Sequence, residues 1–174
     1  MKTWQKLAAG GALAAAIMGA LTGTMEGTRY TPYRDVGGVG TACEGVTHGI
    51  DMRHTYTPAE CSVLDQRERA VALAVVERTL RQPATEAQKA AFGDFIYNEG
   101  AGTWQQSSML RDFNEGKANK ACGDLMLYVC VRTDTKNGAE AGGLCYSTKR
   151  PMRFVRGLQV RRQYEYELCM QGVH

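Results

Sequence analysis

The distribution of apolar and polar residues divides the 174-residue chain into an apolar leader and a mixed body. After Lys2 and Lys6, residues 7–25 carry no charge, and the first acidic residue is Glu26. Nineteen uncharged residues are just long enough to span a bilayer as a helix, but eleven of them are alanine or glycine. We therefore expect the leader to insert into a membrane, but weakly.

The charges that flank this leader predict its orientation. Basic residues on the N-terminal side keep that end in the cytoplasm, so residues 26–174 are expected to cross the membrane. Three alternatives remain open for the leader: a weak uncleaved anchor, a signal peptide cleaved near residues 14–16, and a helix-pairing segment built on Gly19 and Gly23. We favour the first, which predicts a releasable transmembrane segment over residues 1–25 and one globular domain over residues 26–174.

The first part of the body has the pattern of short strands and turns. Residues 27–55 are rich in glycine, tyrosine, threonine and valine and have no helical period. Within them, residues 37–41 contain three glycines and form a predicted hairpin region.

The rest of the body has helical patterns. Capping boxes at Thr57 with Glu60 and at Thr85 with Gln88 open two long predicted helices. The first helix is predicted to run through Leu80 and to end before Pro83, and the second to end at Gly100 and Gly102. A short helix from Ser107 or Ser108 follows, and then a helix over residues 117–131 with Leu125, Met126 and Leu127 in the core. The last predictions are a polar loop over residues 132–143 and a charged helix over residues 158–170. This order predicts a mainly helical α+β fold, with a small β-hairpin lobe and a larger helical lobe.

The cysteines indicate an oxidising compartment. Six cysteines follow the leader, none of them forms a C-x-x-C pair, and no histidine lies near them at zinc-site spacing. An even number of cysteines in an exported chain predicts disulfides, although six cysteines allow fifteen connectivities. The pairs we favour are Cys43 with Cys61, Cys122 with Cys169, and Cys130 with Cys145.

Charge and motifs exclude several classes of function. A net charge of +3 suits a polyanionic partner such as cell wall but is lower than that of typical nucleic-acid binders, so we expect no nucleic acid. The sequence has no phosphate-binding glycine loop and no cluster of histidine and cysteine ligands. We therefore expect no cofactor and no metal.

The residues directly after the leader carry candidate chemistry. Glu26 and Asp35 flank a predicted turn, and Thr41 follows them. Cleavage of a glycosidic bond needs one carboxylic acid to protonate the leaving oxygen and a second carboxylate opposite it. Two acids nine residues apart are common, so these residue types alone also allow the simpler interpretation of two solvated surface carboxylates.

Their spacing resembles the catalytic signature of the phage-type lysozymes, or endolysins. The shared pattern is a glutamate, eight residues, an aspartate, five residues and a threonine, with glycine after the glutamate and tyrosine two residues before the aspartate. Further matches extend the resemblance in consistent order to about residue 170, and they are CEG at residues 43–45, TPAEC at 57–61, FIYNEGAG at 95–102 and GLQVRR at 157–162. The chain departs from some members at Val46, where they carry a histidine.

The resemblance implies a lysozyme-like, disulfide-stapled fold and a role for each site residue. Glu26 corresponds to the general acid, Asp35 to the second carboxylate, and Thr41 to the residue that positions the attacking water. The further candidates are Asn98 as a substrate contact or a helix cap, Tyr33 as a substrate contact or a packing residue, and Arg161 as the partner of the catalytic glutamate or as a surface pair with Glu165. The implied reaction is hydrolysis of the β-1,4 bond between N-acetylmuramic acid and N-acetylglucosamine in peptidoglycan, for host-cell lysis and phage release.

The resemblance also explains the leader, because a subgroup of endolysins carries a signal-anchor-release segment. We expect a monomer held in the host inner membrane and later soluble in the periplasm, with a holin-type membrane protein acting upstream and no direct contact implied. Residues 1–25 contain no cysteine, so we expect control of activity to be steric rather than through a leader thiol. The alternatives are a lytic transglycosylase, which the matches at Asp35 and Thr41 disfavour, and a non-catalytic, membrane-tethered wall-binding module.

Overall fold

The computed structural model describes residues 12–22, 27–34, 38–132 and 152–171. The elements in chain order are α1 (residues 12–22), β1 (Arg29–Arg34), β2 (Gly40–Cys43), α2 (Pro58–Thr79), α3 (Glu86–Glu99), α4 (Ala101–Gln105), α5 (Ser108–Asn114), α6 (Ala118–Asp124), β3 (Cys130–Arg132), β4 (Met152–Phe154) and α7 (Arg156–Met170). The helices share one buried core, and the hairpin of β1 and β2 has a small buried cluster of its own. The α+β, mainly helical prediction is confirmed.

The predicted hairpin is present. Strands β1 and β2 pair antiparallel, with Tyr33 opposite Thr41 and Arg34 opposite Gly40. The Arg34 guanidinium donates a hydrogen bond of 2.7 Å to the carbonyl of Gly38, which closes the turn. Gly38 has φ +78°, a left-handed conformation that glycine adopts without steric cost.

Both predicted capping boxes open the long helices. The Thr57 amide donates to the Glu60 carboxylate at 2.7 Å, while the Thr57 hydroxyl accepts from the Glu60 amide, and α2 ends at Leu80 as its C-cap. Thr85 and Gln88 make the same exchange at the start of α3. Each reciprocal pair satisfies backbone donors that the first helical turn leaves unpaired, so these boundaries are set locally.

An aromatic group forms the centre of the helical body. The ring of Phe92 lies 5.0 Å from that of Trp104 and 5.4 Å from that of Phe113, measured between ring centroids. All three side chains are buried, and the Trp104 indole N–H donates to the Thr79 hydroxyl at 2.9 Å. The polar atom of the tryptophan is therefore satisfied inside the core.

Helix α1, which belongs to the leader, is part of the same core. Ala14, Met18 and Thr22 follow one another at four-residue intervals, lie on one face and are at most 1% exposed. On α3, a Cβ added to Gly93 would lie 3.1 Å from Met18 Sδ, so glycine permits this close approach. Among the described residues, no helix combines the length and apolar character needed to cross a bilayer. The exposed residues on the opposite side of α1 are Ala12, Leu13, Ala16 and Ala20.

The helix predicted over residues 117–131 is wrong in its second half. Helix α6 ends at Asp124, and after one turn of 3-10 helix the chain enters β3. Strand β3 pairs with β4, with Val131 opposite Arg153, and this long-range pairing overrides the local helical pattern. Of the predicted core residues, Leu125 is buried, Met126 is half-buried, and Leu127 is 66% exposed.

Two further boundaries differ from the predictions. Gly102 does not end α3, because Gly100 is its C-cap and Gly102 lies inside α4. Arg132, the first residue of the predicted polar loop, belongs to β3, and residues 133–143 lie outside the described residues.

Disulfides join elements that are distant in sequence. Cys43 on β2 is bonded to Cys61 on α2, and Cys122 on α6 is bonded to Cys169 on α7. These are two of the three predicted pairs. Cys130 is also disulfide-bonded, and Cys145, its predicted partner, lies outside the described residues. The first bond fastens the hairpin lobe to α2, and the second fastens the C-terminal helix to the body.

Candidate active site

The predicted catalytic residues fall partly within the described chain. Glu26 and Asp35 lie outside the described residues, whereas Thr41 is on β2. Thr41 is 4% exposed, and its hydroxyl donates to the Val39 carbonyl at 3.1 Å. The hairpin therefore holds Thr41 in a largely buried position on β2.

Tyr33 is the cross-strand partner of Thr41. Its side chain is half-buried, and the Arg29 guanidinium carbon lies 4.6 Å from the ring centroid. A cation over an aromatic ring is attracted by the negative face of the ring. One face of Tyr33 is thus occupied by Arg29, and its role as a sugar contact stays a prediction.

Asn98 lies near the end of α3, one residue before Glu99. Its side-chain oxygen accepts a hydrogen bond from Arg162 of α7. The helix-cap alternative is wrong, because the C-cap position is occupied by Gly100 with φ +85°. The role of Asn98 as a substrate contact stays a prediction.

Arg161 is buried and bonded to a residue that sequence reasoning missed. Its Nε donates to Asp94 Oδ2 at 2.8 Å and its Nη2 donates to Asp94 Oδ1 at 3.1 Å. Glu165, the partner considered from sequence, lies 3.7 Å away. Because Arg161 is only 4% exposed, the alternative of a surface pair is wrong.

The leader reaches the same carboxylate. Thr22 Oγ1 lies 2.8 Å from Asp94 Oδ1 and 2.8 Å from the Met18 carbonyl, and it shares its proton between the two acceptors. Beside this contact, Arg162 donates to Glu165 at 2.6 Å and lies over the Phe95 ring. We call Thr22, Asp94, Arg161, Arg162 and Glu165 the buried polar cluster.

The pKa values of the two carboxyl groups in this cluster are shifted in opposite directions. Burial raises the pKa of Asp94, but the charge and hydrogen bonds of Arg161, with those of Glu165 and Thr22, outweigh it and hold the pKa below its usual value. Burial raises the pKa of Glu165 well above its usual value despite Arg162, and the neighbouring Asp94 raises it further. The shifts favour the charged form of Asp94 and the protonated form of Glu165.

A groove of about 220 Å³ separates the hairpin lobe from the helical body. It lies between the loop that follows β2 and the side chains of α2, α3 and α4, and its polar edge includes His48 and Glu68, which are 3.4 Å apart. Tyr97 of α3 donates a hydrogen bond of 2.8 Å to the Glu44 carbonyl and so ties the two lobes together. Strand β2, which carries Thr41, leads directly into this loop.

Comparison with known proteins identifies the family. The sequence matches the phage lysozyme family over residues 23–165. The chain belongs to the phage lysozyme family. Curated relatives include the SAR-endolysin of Enterobacteria phage PA-2, 32% identical over 149 residues that cover 85% of this chain and 79% of that protein, and the SAR-endolysin of Pseudomonas phage phiKMV, 30% identical over 162 residues that cover 93% and 90%.

Solved structures show that this phage lysozyme has a lysozyme-like fold. The muramidase domain of SpmX from Asticaccaulis excentricus aligns with a TM-score of 0.75 at 20% identity and covers 89% of this chain and 95% of that domain. The endolysin of Escherichia coli O157:H7 phage FAHEc1 aligns with a TM-score of 0.72 at 18% identity, covering 91% and 92%. The family match and the endolysin relatives, rather than these structures, show that the chain is a lysozyme-type glycoside hydrolase with a cell-wall lytic function and that peptidoglycan is its substrate.

Sequence reasoning missed most of the buried polar cluster of this phage lysozyme. The one available signal was Asp94, an acid in the otherwise apolar stretch of residues 90–96 on α3. Glu99 was also missed: burial raises its pKa, although Arg162 and Arg161 oppose the shift. No group of three or more metal-ligating side chains occurs in the part of the chain that the structure describes.

Proposed function

We propose that this phage lysozyme is a muramidase that hydrolyses the β-1,4 bond between N-acetylmuramic acid and N-acetylglucosamine. In this proposal Glu26 protonates the leaving oxygen, Asp35 is the second carboxylate, and Thr41 helps to position the attacking water. The observation that carries the proposal is the contact between the leader and the buried polar cluster. Thr22, four residues before Glu26, is bonded to the carboxylate that holds Arg161.

Chain connectivity supports this assignment. Four residues span at most about 14 Å, so Glu26 belongs to the same end of the leader as Thr22. Asp35 directly follows Arg34, the last residue of β1, and Arg34 is paired with Gly40, the residue before Thr41. In this proposal the hairpin supplies both the second carboxylate and the hydroxyl, while the residue directly after the leader supplies the acid.

We also propose that residues 1–25 first serve as a membrane anchor and that residues 26–174 form the periplasmic catalytic domain. Ala14, Met18 and Thr22 pack against the body of the enzyme, and these side chains cannot contact the bilayer interior at the same time. An inserted leader leaves the buried polar cluster without Thr22 and holds Glu26 at the membrane surface. The enzyme then becomes active only after the leader leaves the bilayer, with a holin-type membrane protein acting upstream and no direct contact implied.

The bond specificity is tested with purified protein and isolated peptidoglycan. We expect soluble fragments that end in reducing N-acetylmuramic acid, since water is the acceptor. Mass spectrometry of the fragments before and after borohydride reduction is the measurement, because only a reducing end gains two hydrogens. Fragments ending in 1,6-anhydro-muramic acid would instead identify a lytic transglycosylase, and an undigested wall that retains bound protein would identify a binding module.

The membrane control is tested on the exposed face of α1. Replacing Ala12, Ala16 and Ala20 together by leucine should strengthen membrane insertion, since leucine favours the bilayer interior. These positions are exposed in the folded enzyme, so docking of the leader is not disturbed. We expect cells that express the variant to resist lysis and to keep the protein in the membrane fraction, while protein extracted with detergent is active once the detergent is removed.

Serine at the same three positions provides the matched control. Serine keeps these exposed side chains small but weakens membrane insertion, so lysis should occur at the normal time or earlier. Normal lysis by the leucine variant, with its protein in the soluble fraction, would contradict control by release. Inactivity of the extracted leucine variant would show that the substitutions damage the enzyme itself.

A further inference from the structure

The buried polar cluster joins the leader to the C-terminal helix through one carboxylate. Asp94 Oδ1 accepts from Thr22 Oγ1 at 2.8 Å and from Arg161 Nη2 at 3.1 Å, so both elements depend on the same oxygen atom. Asp94 itself is fully buried in α3. A change at either donor therefore alters the carboxylate that the other donor holds.

We propose that Asp94 is a positioning residue of this phage lysozyme, which fixes the Arg161 guanidinium for the reaction only when the leader supplies the hydroxyl of Thr22. The inference rests on the proposed function and on the role that the family resemblance implies for Arg161, as the partner of the general acid Glu26. It adds a specific route by which docking of the leader reaches the reacting groups.

The geometry of the pair limits how Arg161 can be oriented. The guanidinium is planar, and Asp94 accepts hydrogen bonds from its Nε and Nη2 edge, one bond to each carboxylate oxygen. Two parallel bonds to one carboxylate fix both the position and the plane of the guanidinium. The Nη1 end is consequently directed away from Asp94, where it can face a second carboxylate.

The leader completes the surroundings of Asp94. Thr22 bonds to it from α1, and the absence of a side chain at the neighbouring Gly93 permits the close approach of Met18. When the leader is in the membrane, both side chains are withdrawn and this side of Asp94 opens to water. In contact with water, the Asp94 carboxylate holds the Arg161 guanidinium less rigidly, because water offers alternative hydrogen bonds to both groups.

The charges around Asp94 predict an effect on the pH profile of activity in addition to any effect on stability. Arg161 and Glu165 face it from α7 and Thr22 faces it from α1, while Arg162 and Glu99 lie in the next layer. With Glu165 protonated, Asp94 provides the negative charge opposite Arg161. Removal of that charge leaves the guanidinium uncompensated, and an uncompensated cation lowers the pKa of any carboxyl that faces it.

The experiment compares Asp94→Asn, which removes the charge, with Thr22→Val, which removes only the hydroxyl. Thr22→Ser restores the hydroxyl, and Thr103→Val is the matched control, because the Thr103 hydroxyl also bonds to the carbonyl four residues earlier but to no carboxylate. The full-length purified proteins are assayed for kcat, KM and their pH profiles on solubilised peptidoglycan. Thermal unfolding of each variant identifies any loss of the fold.

We expect Asp94→Asn and Thr22→Val to lower kcat by about 10- to 100-fold, because small displacements at a reacting centre have effects of that size. KM should change by no more than about twofold, since substrate binding is not the step affected. In Asp94→Asn the alkaline limb of the pH profile should move down by about one unit. Thr22→Ser should recover most of the rate, and Thr103→Val should match the unmodified enzyme.

Folded Thr22→Val protein with unchanged kcat would overturn the inference, as would folded Asp94→Asn protein with an unchanged alkaline limb. If Asp94→Asn does not fold, the comparison of Thr22→Val with Thr22→Ser decides, because valine keeps the shape of the side chain without the hydroxyl, whereas serine keeps the hydroxyl and loses one methyl group. Equal losses in Thr22→Val and Thr103→Val would also overturn it. Loss of activity in Glu26→Gln together with normal rates in the Asp94 and Thr22 variants rejects this inference alone, whereas full activity of Glu26→Gln rejects the proposed function.

Discussion

Replacing Glu26 by glutamine should reduce hydrolysis of peptidoglycan by about 10²- to 10⁴-fold, the usual contribution of a positioned general acid. The amide has nearly the same shape as the protonated carboxyl group but cannot deliver a proton to the leaving oxygen. The fold should be unaffected, because none of the described core contacts requires a charge at position 26. Turbidity clearing of chloroform-treated Gram-negative cells measures the rate, and circular dichroism checks the fold.

A second glutamate provides the control for this substitution. Glu77 on α2 is half exposed, and its nearest charged partner in the described chain, Lys89, is 4.0 Å away. Glu77→Gln therefore makes the same chemical change without touching the candidate site, and its clearing rate should equal that of the unmodified enzyme. Full activity of a folded Glu26→Gln protein would remove Glu26 from the mechanism and would favour wall binding without turnover.

The sequence predicts best the features that depend on near neighbours. Thr57 with Glu60 and Thr85 with Gln88 exchange hydrogen bonds across three residues, and both predicted helix starts are present. The helix predicted over residues 117–131 is wrong in its second half because β3 depends on a partner strand twenty or more residues away. Local patterns indicate what a segment can form alone, but they do not reveal which distant segment will pair with it.

The buried polar cluster could not be predicted for the same reason. The link between Arg161 and Asp94 joins residues 67 positions apart, and that between Thr22 and Asp94 joins residues 72 apart. From sequence, helix α7 has the composition of a charged surface helix, yet Arg161, Arg162 and Glu165 all face the core. Charged side chains become buried when their partners come from other elements, and this information is absent from any single helix.

The leader combines two sets of requirements in one short segment. In the proposed role as an anchor, the uncharged run of residues 7–25 permits insertion into a bilayer, while the four-residue spacing of Ala14, Met18 and Thr22 produces a face that fits the enzyme body. Thr22 carries no charge, which suits a membrane segment, and its hydroxyl bonds to Asp94 in the core. The large share of alanine and glycine, which makes insertion weak, also allows close packing against α3.

The largest loss of stability is expected from Arg162→Met. Arg162 is fully buried, and it donates to Glu165 at 2.6 Å and to the Asn98 side chain. Without Arg162 the side-chain oxygens of the buried Glu165 and the half-buried Asn98 lose their donor, and removing one partner of a buried charged hydrogen-bonded pair destabilises a protein by about 3–5 kcal/mol. Urea unfolding followed by fluorescence measures the difference, and Arg162→Met should be compared with Arg78→Met at an exposed position of α2.

The pH dependence and a second substitution separate this cause from a simple loss of packing. The folded pKa of Glu165 is raised above its usual value by burial, so the stability linked to its protonation is present at low pH and is lost as pH rises through the folded pKa. Without Arg162 the pKa rises further, and the deficit of Arg162→Met should therefore be larger at pH 8 than at pH 5. Adding Glu165→Gln removes the titrating group while its amide can still donate to Asp94, so the double variant should recover most of the stability and lose the pH dependence. A deficit that is equal at both pH values and unchanged by Glu165→Gln would mean that Arg162 stabilises the fold through its contact with Phe95 rather than through its charge.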